Sequence, residues 1–474
     1  MQQALKWLLA SFLSLTTVVQ AMAVNGLTVE QYQQIKQPGL DKPQLVHSDI
    51  TPLLAQHQQN ALFRFSPLGQ SAQGTPVWQI DIGTGPIKVL SWSQMHGDEP
   101  TATAALMDLL NFVSAPEQKN WRDNWLSKVT LRLIPMVNPD GAAANSRFNS
   151  MGIDINRDAK ALQSPEGQLL MQAAKAFKPA FGLNLHDQNR YYAAGDSNKQ
   201  TTISLLAPAF NDAKDIDASR KKAMQLIGDM ADLMAEQLPG YLGKYDDTFS
   251  WRSFGDTFSG MGISTVLIES GGYPGDDNRQ VARRLNAQLL VLSIESIASG
   301  AYLQQTLEGY RAIPFNRDGG IKDVLIDNLG IAINGHDAIV DVALEFDLVG
   351  AKQARVRDIG DLSIYGSYHR FDASGLRYQA PKAYTLTKAL TLDKTKYLAL
   401  LREGYSHFSG DASLLTNNTD WPVVLNPKGL SDTSPQRFRH ATFLLANNEG
   451  VQLALLNGQL LDLRNGLILY PMGT

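Results

Sequence analysis

The chain has 474 residues, 44% hydrophobic and 19% charged, with 38 glycines and 21 prolines, which is ordinary globular usage and excludes a disordered, collagenous or coiled-coil protein. That length exceeds what one hydrophobic core comfortably supports, so a large domain of about 250–300 residues and a smaller one are expected. A formal net charge of −4 leaves no basic field for nucleic acid, and the absence of cysteine excludes disulfides, thiolate metal sites and cysteine nucleophiles, so any metal must rest on His, Asp and Glu.

Taken in chain order, Lys6 precedes an apolar run from Trp7 to Val19 that ends at Ala21-Met22-Ala23. This pattern predicts a secretory signal peptide over residues 1–23, because the run is shorter than the ~18–20 apolar residues of a spanning helix. The mature chain would begin at Val24, periplasmic or secreted, with 41 basic against 46 acidic residues once Lys6 is removed. No later stretch is apolar enough to span a bilayer, so no stable membrane insertion is expected after cleavage.

Residues 24–310 read as one domain. Val77–Ile82, Ile87–Trp92, Val129–Pro135, Phe181–His186 and Thr265–Ile268 are predicted strands, several of them continuously apolar as buried central strands are. Helical spacing falls over Thr101–Val113, Glu166–Phe177, Ser219–Leu238 and Arg279–Leu303, and Met224, Ile227, Met230, Ala231 and Met234 share one face as core packing. The alternation predicts an α/β fold: a mixed, largely parallel sheet covered by helices on both faces. From about Arg311 the texture changes. Val340, Val342, Leu344 and Phe346 alternate with Asp341, Ala343 and Glu345, and Asn457-Gly458 and Asn465-Gly466 each separate apolar runs. Residues 311–474 are therefore expected to form a smaller β-rich domain of sandwich type, without a catalytic constellation.

The chemistry concentrates in the first domain. In Met95-His96-Gly97-Asp98-Glu99-Pro100, a His and a Glu three apart at a strand-to-helix joint can turn toward one ion. Zinc without cysteine wants this mixture, one further His and an open position for water. His186 ends the apolar strand of Gly182-Leu183-Asn184-Leu185-His186-Asp187, where ligands bind in open α/β sheets. Between them, Asn138-Pro139-Asp140-Gly141 is followed by Arg147 and by Asp154-Ile155-Asn156-Arg157. Two arginines and an asparagine in a loop-rich stretch suit recognition of a carboxylate. Glu269 directly follows the apolar run Thr265–Ile268, where a carboxylate is costly without partners or work.

These motifs, in this order over roughly Gly69 to Leu303, resemble the zinc carboxypeptidase family typified by carboxypeptidase A, in the compact spacing of its bacterial members. The resemblance implies one zinc per chain held by His96, Glu99 and His186, with Asp154 orienting His96 through its other ring nitrogen. It makes Glu269 the general base, Arg147 the oxyanion stabiliser, and Asn156 and Arg157 the grip on a peptide's terminal carboxylate, so the expected substrate is a peptide with a free C-terminus. Tyr245 is the candidate for the family's mobile capping tyrosine, with Tyr241 behind it. Asp256 lies in the window that lines the terminal side-chain pocket, where it would favour Lys, Arg or diaminopimelate of bacterial wall peptides; its alternative is to cap a helix or pair with Arg252 or Arg279. No long activation segment is expected between Val24 and the first strand. The rival readings are a zinc amidase or deacylase of the aspartoacylase and succinylglutamate desuccinylase type, and a catalytically idle peptide-binding module.

Overall fold

The computed structural model describes residues 26–276, 278–347 and 353–470, so the segment read as a signal peptide lies outside the described residues. Among the described residues, no helix is long and apolar enough to cross a membrane.

The first half is organised by strands β1 (Phe63–Gln70), β2 (Pro76–Ile82), β3 (Ile87–Ser93), β4 (Val129–Ile134), β5 (Phe181–Asp187), the two-residue β6 (Ala193–Ala194), β7 (Ile203–Leu206), β8 (Leu242–Lys244) and β9 (Ser264–Ser270). All but β6 join one sheet in the order β1-β2-β4-β3-β5-β9-β7-β8. Its centre, β4-β3-β5-β9, is parallel, and the β1/β2, β2/β4 and β7/β9 pairings are antiparallel. Central strands are covered on both faces, which is why β5 is buried almost throughout. The two-residue period then sorts side chains. Val89 points into the core shared with helices Thr101–Ser114, Ala218–Gln237 and Gln280–Ser299, whereas Leu90 and Trp92 point into the core shared with helices Pro165–Phe177 and Phe254–Gly260. Met224, Ile227, Met230 and Met234 lie in the first of these cores, as their spacing implies.

Two expectations change. The helix read as Arg279–Leu303 begins at Gln280 because Arg279 is left-handed (φ 55°), and ends at Ser299 because Gly300 (φ 77°) caps it before a short 3₁₀ turn. Strand β1 was not expected: Pro67 and its polar residues hide the period, and the register slips between Pro67 and Gly69.

The C-terminal region carries β10 (Asn316–Arg317), β11 (Ile321–Ile333), β12 (His336–Asp347), β13 (Gln353–Gly360), β14 (Gly366–Asp372), β15 (Arg377–Gln379), β16 (Lys382–Thr385), β17 (Leu390–Leu392), β18 (Tyr405–Ser409), β19 (Leu415–Asn417), β20 (Phe443–Asn447), β21 (Gly450–Leu456), β22 (Gln459–Asp462) and β23 (Leu467–Tyr470). Nine of these form one sheet, β13-β12-β11-β15-β20-β21-β22-β23 with β14 parallel to β11. Instead of two stacked sheets, the halves of this single sheet share a core, Val342, Leu344 and Val356 meeting Phe443, Leu445 and Leu455. Helix Lys394–Arg402 and the small pairs β16/β18 and β17/β19 cover the far side of β20–β22. The expected tight turn is present: Asn457 (φ 50°) and Gly458 (φ 80°) link β21 to β22 with both residues left-handed. The two regions are stitched together. β10 pairs with β6 of the first half, and Tyr191 O accepts from the Ile321 N–H at 3.1 Å.

Candidate active site

The carboxyl ends of β3, β5 and β9 lie side by side, and the reactive side chains collect there. After β3 the chain turns through Gln94, which is left-handed (φ 50°). That conformation costs roughly 1–2 kcal/mol for a residue with a side chain. The Gln94 amide offsets it by donating to Leu45 O (2.8 Å) and Gly97 O (2.9 Å) and accepting from the Thr103 hydroxyl (2.9 Å). The Glu99 N–H donates to His96 O at 3.2 Å, closing a turn that sends both side chains the same way. Beneath it, Gly97 lies against Gly141, so closely that a Cβ added at residue 97 would overlap the Gly141 carbonyl carbon and the Ala142 nitrogen. Asn138-Pro139-Asp140-Gly141 is the scaffold of this loop. Asn138 accepts from Gly141 N–H (2.9 Å) and donates to Met95 O (3.2 Å), while Asp140 accepts from the Ser71 hydroxyl (2.7 Å) and the Gln73 N–H (2.9 Å).

His96, Glu99 and His186 converge, each offering a ligand atom within 4.8 Å of the others; no other such group occurs among the described residues. Glu99 spans the imidazoles, with Oε1 2.7 Å from His96 Nδ1 and Oε2 2.7 Å from His186 Nδ1. Both rings are 3% exposed and the Glu99 side chain 11%. Burial pushes the Glu99 carboxyl up, yet the two histidines outweigh it and hold the group below the usual carboxylate range. His186, wholly enclosed, is pushed down by burial; His96 suffers the same burial, but bonds to Asp154 and Glu99 carry it above an ordinary histidine. Two imidazoles and a carboxylate, enclosed and free of thiolate, fit zinc.

Asp154 organises the other flank. Its Oδ1 is 3.2 Å from His96 Nε2 and accepts the Asn156 N–H at 2.9 Å, and its Oδ2 accepts Arg147 Nε at 2.9 Å. Burial raises this carboxyl, but His96 and Arg147 bring it down to about 2. Arg147 Nη1 lies 3.2 Å from His96 Nδ1, so the guanidinium faces the cluster. Asn156 Oδ1 accepts the Phe254 N–H (2.9 Å), leaving its Nδ2 to donate elsewhere, and the exposed Arg157 guanidinium donates to its neighbour's carbonyl, Asn156 O, at 2.8 Å. Glu269 stands opposite His186 in the β5/β9 register. Its buried Oε2 has no protein partner. Burial pushes its carboxyl well above the usual range, and repulsion from Glu99 and Asp187 adds to this against Arg279 and Arg147.

The structure separates the two tyrosines. Tyr245 feels the charges of Glu269 and Glu99 and packs edge-on against Tyr192 (5.6 Å), whereas Tyr241 packs on Tyr273 (5.1 Å). Of the two expectations for Asp256, the structure shows the helix-capping arrangement. Its Oδ1 accepts the Ser250 N–H at 2.8 Å and its Oδ2 the Ser253 hydroxyl, at the start of helix Phe254–Gly260. Asp256 thus serves the start of that helix, and among the described residues it forms no ion pair with Arg252 or Arg279. Sequence reasoning passed over Asp187, whose only signal was its place after His186. Its Oδ2 accepts the Thr101 hydroxyl (2.7 Å) and N–H (3.3 Å), capping helix Thr101–Ser114 from another strand, and burial pushes it up to about 6.

Parts of the chain are similar to known carboxypeptidases. Residues 53–210 match the family model described as zinc carboxypeptidase. Carboxypeptidase SOL1 of Arabidopsis thaliana is 30% identical over 102 residues, 20% of this chain and 21% of that protein. Carboxypeptidase 2 of Trichophyton tonsurans is 26% identical over 132 residues, 27% of this chain and 24% of that protein. The chain thus spans between a fifth and a quarter of the length of these curated relatives. Among solved structures, a metallo-carboxypeptidase from Pseudomonas aeruginosa in complex with (2-guanidinoethylmercapto)succinic acid aligns with 18% identity and a TM-score of 0.45, covering 54% of this chain and 70% of that one. One from Burkholderia cenocepacia aligns with 15% identity and a TM-score of 0.43, covering 52% and 68%.

Proposed function

We propose, from the match of residues 53–210 to the zinc carboxypeptidase family model and from the site geometry, that the chain is a metallocarboxypeptidase removing the C-terminal residue of peptides. The observation that carries this reading is one continuous constellation: the His96–Glu99–His186 cluster flanked by Glu269 on one side and, through Asp154, by Arg147 and Asn156 on the other. His96, Glu99 and His186 would hold one zinc, which when bound supplies Lewis acidity toward a water and the scissile carbonyl. Asn156 Nδ2 and the Arg157 guanidinium bind the terminal carboxylate, which makes the reaction an exopeptidase one. Arg147 directs its cation at the carbonyl oxygen, where negative charge grows in the transition state. Glu269 takes a proton from the attacking water and returns it to the leaving amine. Tyr245 closes over the bound end. Asp154 keeps His96 in the tautomer that leaves Nδ1 for the metal.

Export to the periplasm or medium, read from residues 1–23, completes the proposal, and bacterial wall peptides are one suitable substrate for an exported enzyme. The test combines zinc content with hydrolysis of free- and blocked-C-terminus peptides ending in Lys, Phe or diaminopimelate. Zinc-dependent cleavage only of free ends is expected, with His186→Ala losing both metal and turnover. Full zinc occupancy in that variant would overturn the ligand assignment, and cleavage of blocked ends or small acyl amino acids would favour the amidase reading.

A further inference from the structure

A cavity of ≈220 Å³ opens beside the ligand cluster, lined by Asp98, Asp187 and Gly272 next to the proposed ligands and base, and by Arg190, Arg279 and Tyr368 farther out. It shares no residue with the Asn156–Arg157 turn or helix Phe254–Gly260, where the carboxylate grip lies. One wall comes from the C-terminal β-rich region. The Tyr368 hydroxyl donates to Arg190 O at 2.7 Å, and the Arg190 guanidinium stacks 4.1 Å from the centre of the Tyr368 ring. Arg190 Nη2 is 3.2 Å from Oδ1 of Asp323 on β11, a carboxylate 1% exposed, whose Oδ2 accepts the Tyr191 hydroxyl at 2.6 Å. The same tyrosine closes on the segment after Glu269: a Cβ at Gly272 would overlap the Tyr368 hydroxyl oxygen. Inside the cavity, Asp276 spends its carboxylate on the Gln280 and Val281 N–H groups, and Arg283 spends its guanidinium on Asp108. Unspent are Asp187 Oδ1, in a side chain 96% buried by its 4% exposure, and Arg190 Nε, both enclosed without a protein partner.

We propose that Tyr368 and Arg190 form the subsite for the part of the substrate amino-terminal to the scissile bond, so that the β-rich region builds the active site rather than serving as a separate binding module. The inference rests on the carboxypeptidase reading. With the terminal carboxylate at Asn156–Arg157 and the scissile bond at the ligand cluster, the remaining chain must leave along a flank that the grip does not occupy. This cavity supplies what an extended backbone needs there. The partly exposed Arg190 guanidinium donates to a peptide carbonyl, and the Tyr368 ring packs the side chain. Asp323 is a positioning residue, holding Arg190 through its charge. The substrate class that follows is peptides of three or more residues in preference to dipeptides.

The experiment is a length series, acetyl-Ala-X, acetyl-Ala-Ala-X and acetyl-Ala-Ala-Ala-X, where X is the residue best released by the wild type. Wild-type kcat/KM should rise about tenfold between the first and second members, mostly through KM. Tyr368→Ala and Arg190→Gln should abolish that rise, and Tyr368→Phe, which keeps the ring, should retain most of it. A flat wild-type series overturns the proposal, as does an equal loss at all lengths in both variants, which is the mark of a purely structural role. Calorimetric binding of the amide acetyl-Ala-Ala-Ala-NH₂, which offers no carboxylate to the Asn156–Arg157 grip, decides it independently of turnover. If wild type binds this peptide and Arg190→Gln does not, the subsite stands even where hydrolysis fails and the carboxypeptidase reading falls; equal binding by both overturns the subsite.

Discussion

Replacing Asp154 by asparagine tests the organisation of the site most sharply, because one carboxylate there serves three groups. Oδ1 holds the Asn156 N–H and His96 Nε2, and Oδ2 holds Arg147 Nε. An amide turned to keep its oxygen on His96 and Asn156 presents its NH₂ to the Arg147 N–H, donor against donor. Loss of a carboxylate behind a metal-binding histidine costs ~10–100-fold in metal affinity, which is about 1.4–2.8 kcal/mol. His186 has no equivalent support, its Nε2 being buried without a protein partner, so Asp154 carries most of this orientation and the upper half of that range is expected. Zinc affinity is measured by competition with a chromophoric chelator in wild type and Asp154→Asn. Because Arg147 also loses its anchor, kcat/KM at saturating zinc should still fall, about tenfold. Zinc affinity unchanged within twofold would refute the idea that Asp154 fixes His96.

The remaining expectations are of different kinds. Glu269→Gln should keep zinc at wild-type stoichiometry and lose ~10²–10⁴-fold in kcat, since the amide cannot accept the water's proton; near-normal turnover would assign the base elsewhere. Arg283 and Asp108 form a bidentate ion pair almost without exposure, 2.7 and 2.8 Å, which Gln37 N–H and the Tyr32 hydroxyl complete. Arg283→Met should cost about 3–5 kcal/mol in denaturant unfolding by stranding Asp108, and a loss under 1 kcal/mol would contradict that account. His440 is pushed down to about 4, first by burial and then by Arg355 and His407. The unfolded chain therefore takes up its proton first, so stability should decline as pH falls from about 6.5 toward 4. His440→Gln should flatten that interval, and an unchanged pH profile would rule this histidine out as its source.

Much of the central sheet was legible because parallel strands buried on both faces leave continuous apolar runs: Phe181–His186 and Thr265–Ile268 lie within β5 and β9. The candidate ligands were legible for a related reason, since a polar residue ending such a run stands out. Edge elements were not. β7 has four residues and β8 three, too short for a period to show, and Pro67 breaks that of β1. The Asp256 expectation rested on its distance from Glu269 along the chain, which says nothing of the Ser250 and Ser253 groups that claim its oxygens. The part played by Tyr368 and Asp323 had no sequence signal, because Arg190 and Gly272 lie 178 and 96 positions from Tyr368, and Asp323 lies more than a hundred positions from Arg190. Only the fold brings them together.

The contact of Gly97 with Gly141 has a consequence for how this site can change. What a new side chain would meet at residue 97 is main chain, the carbonyl carbon of Gly141 and the nitrogen of Ala142, and main chain cannot be trimmed by a second substitution. The usual escape for an overpacked position, a smaller residue opposite, does not exist here. The loop bearing His96 and the turn at Asn138–Gly141 therefore form one mechanical part, and a graft of this loop onto another scaffold must carry both segments to keep the spacing of His96 and Glu99. Variants that enlarge either glycine should be selected against as a matter of geometry, before any question of chemistry arises.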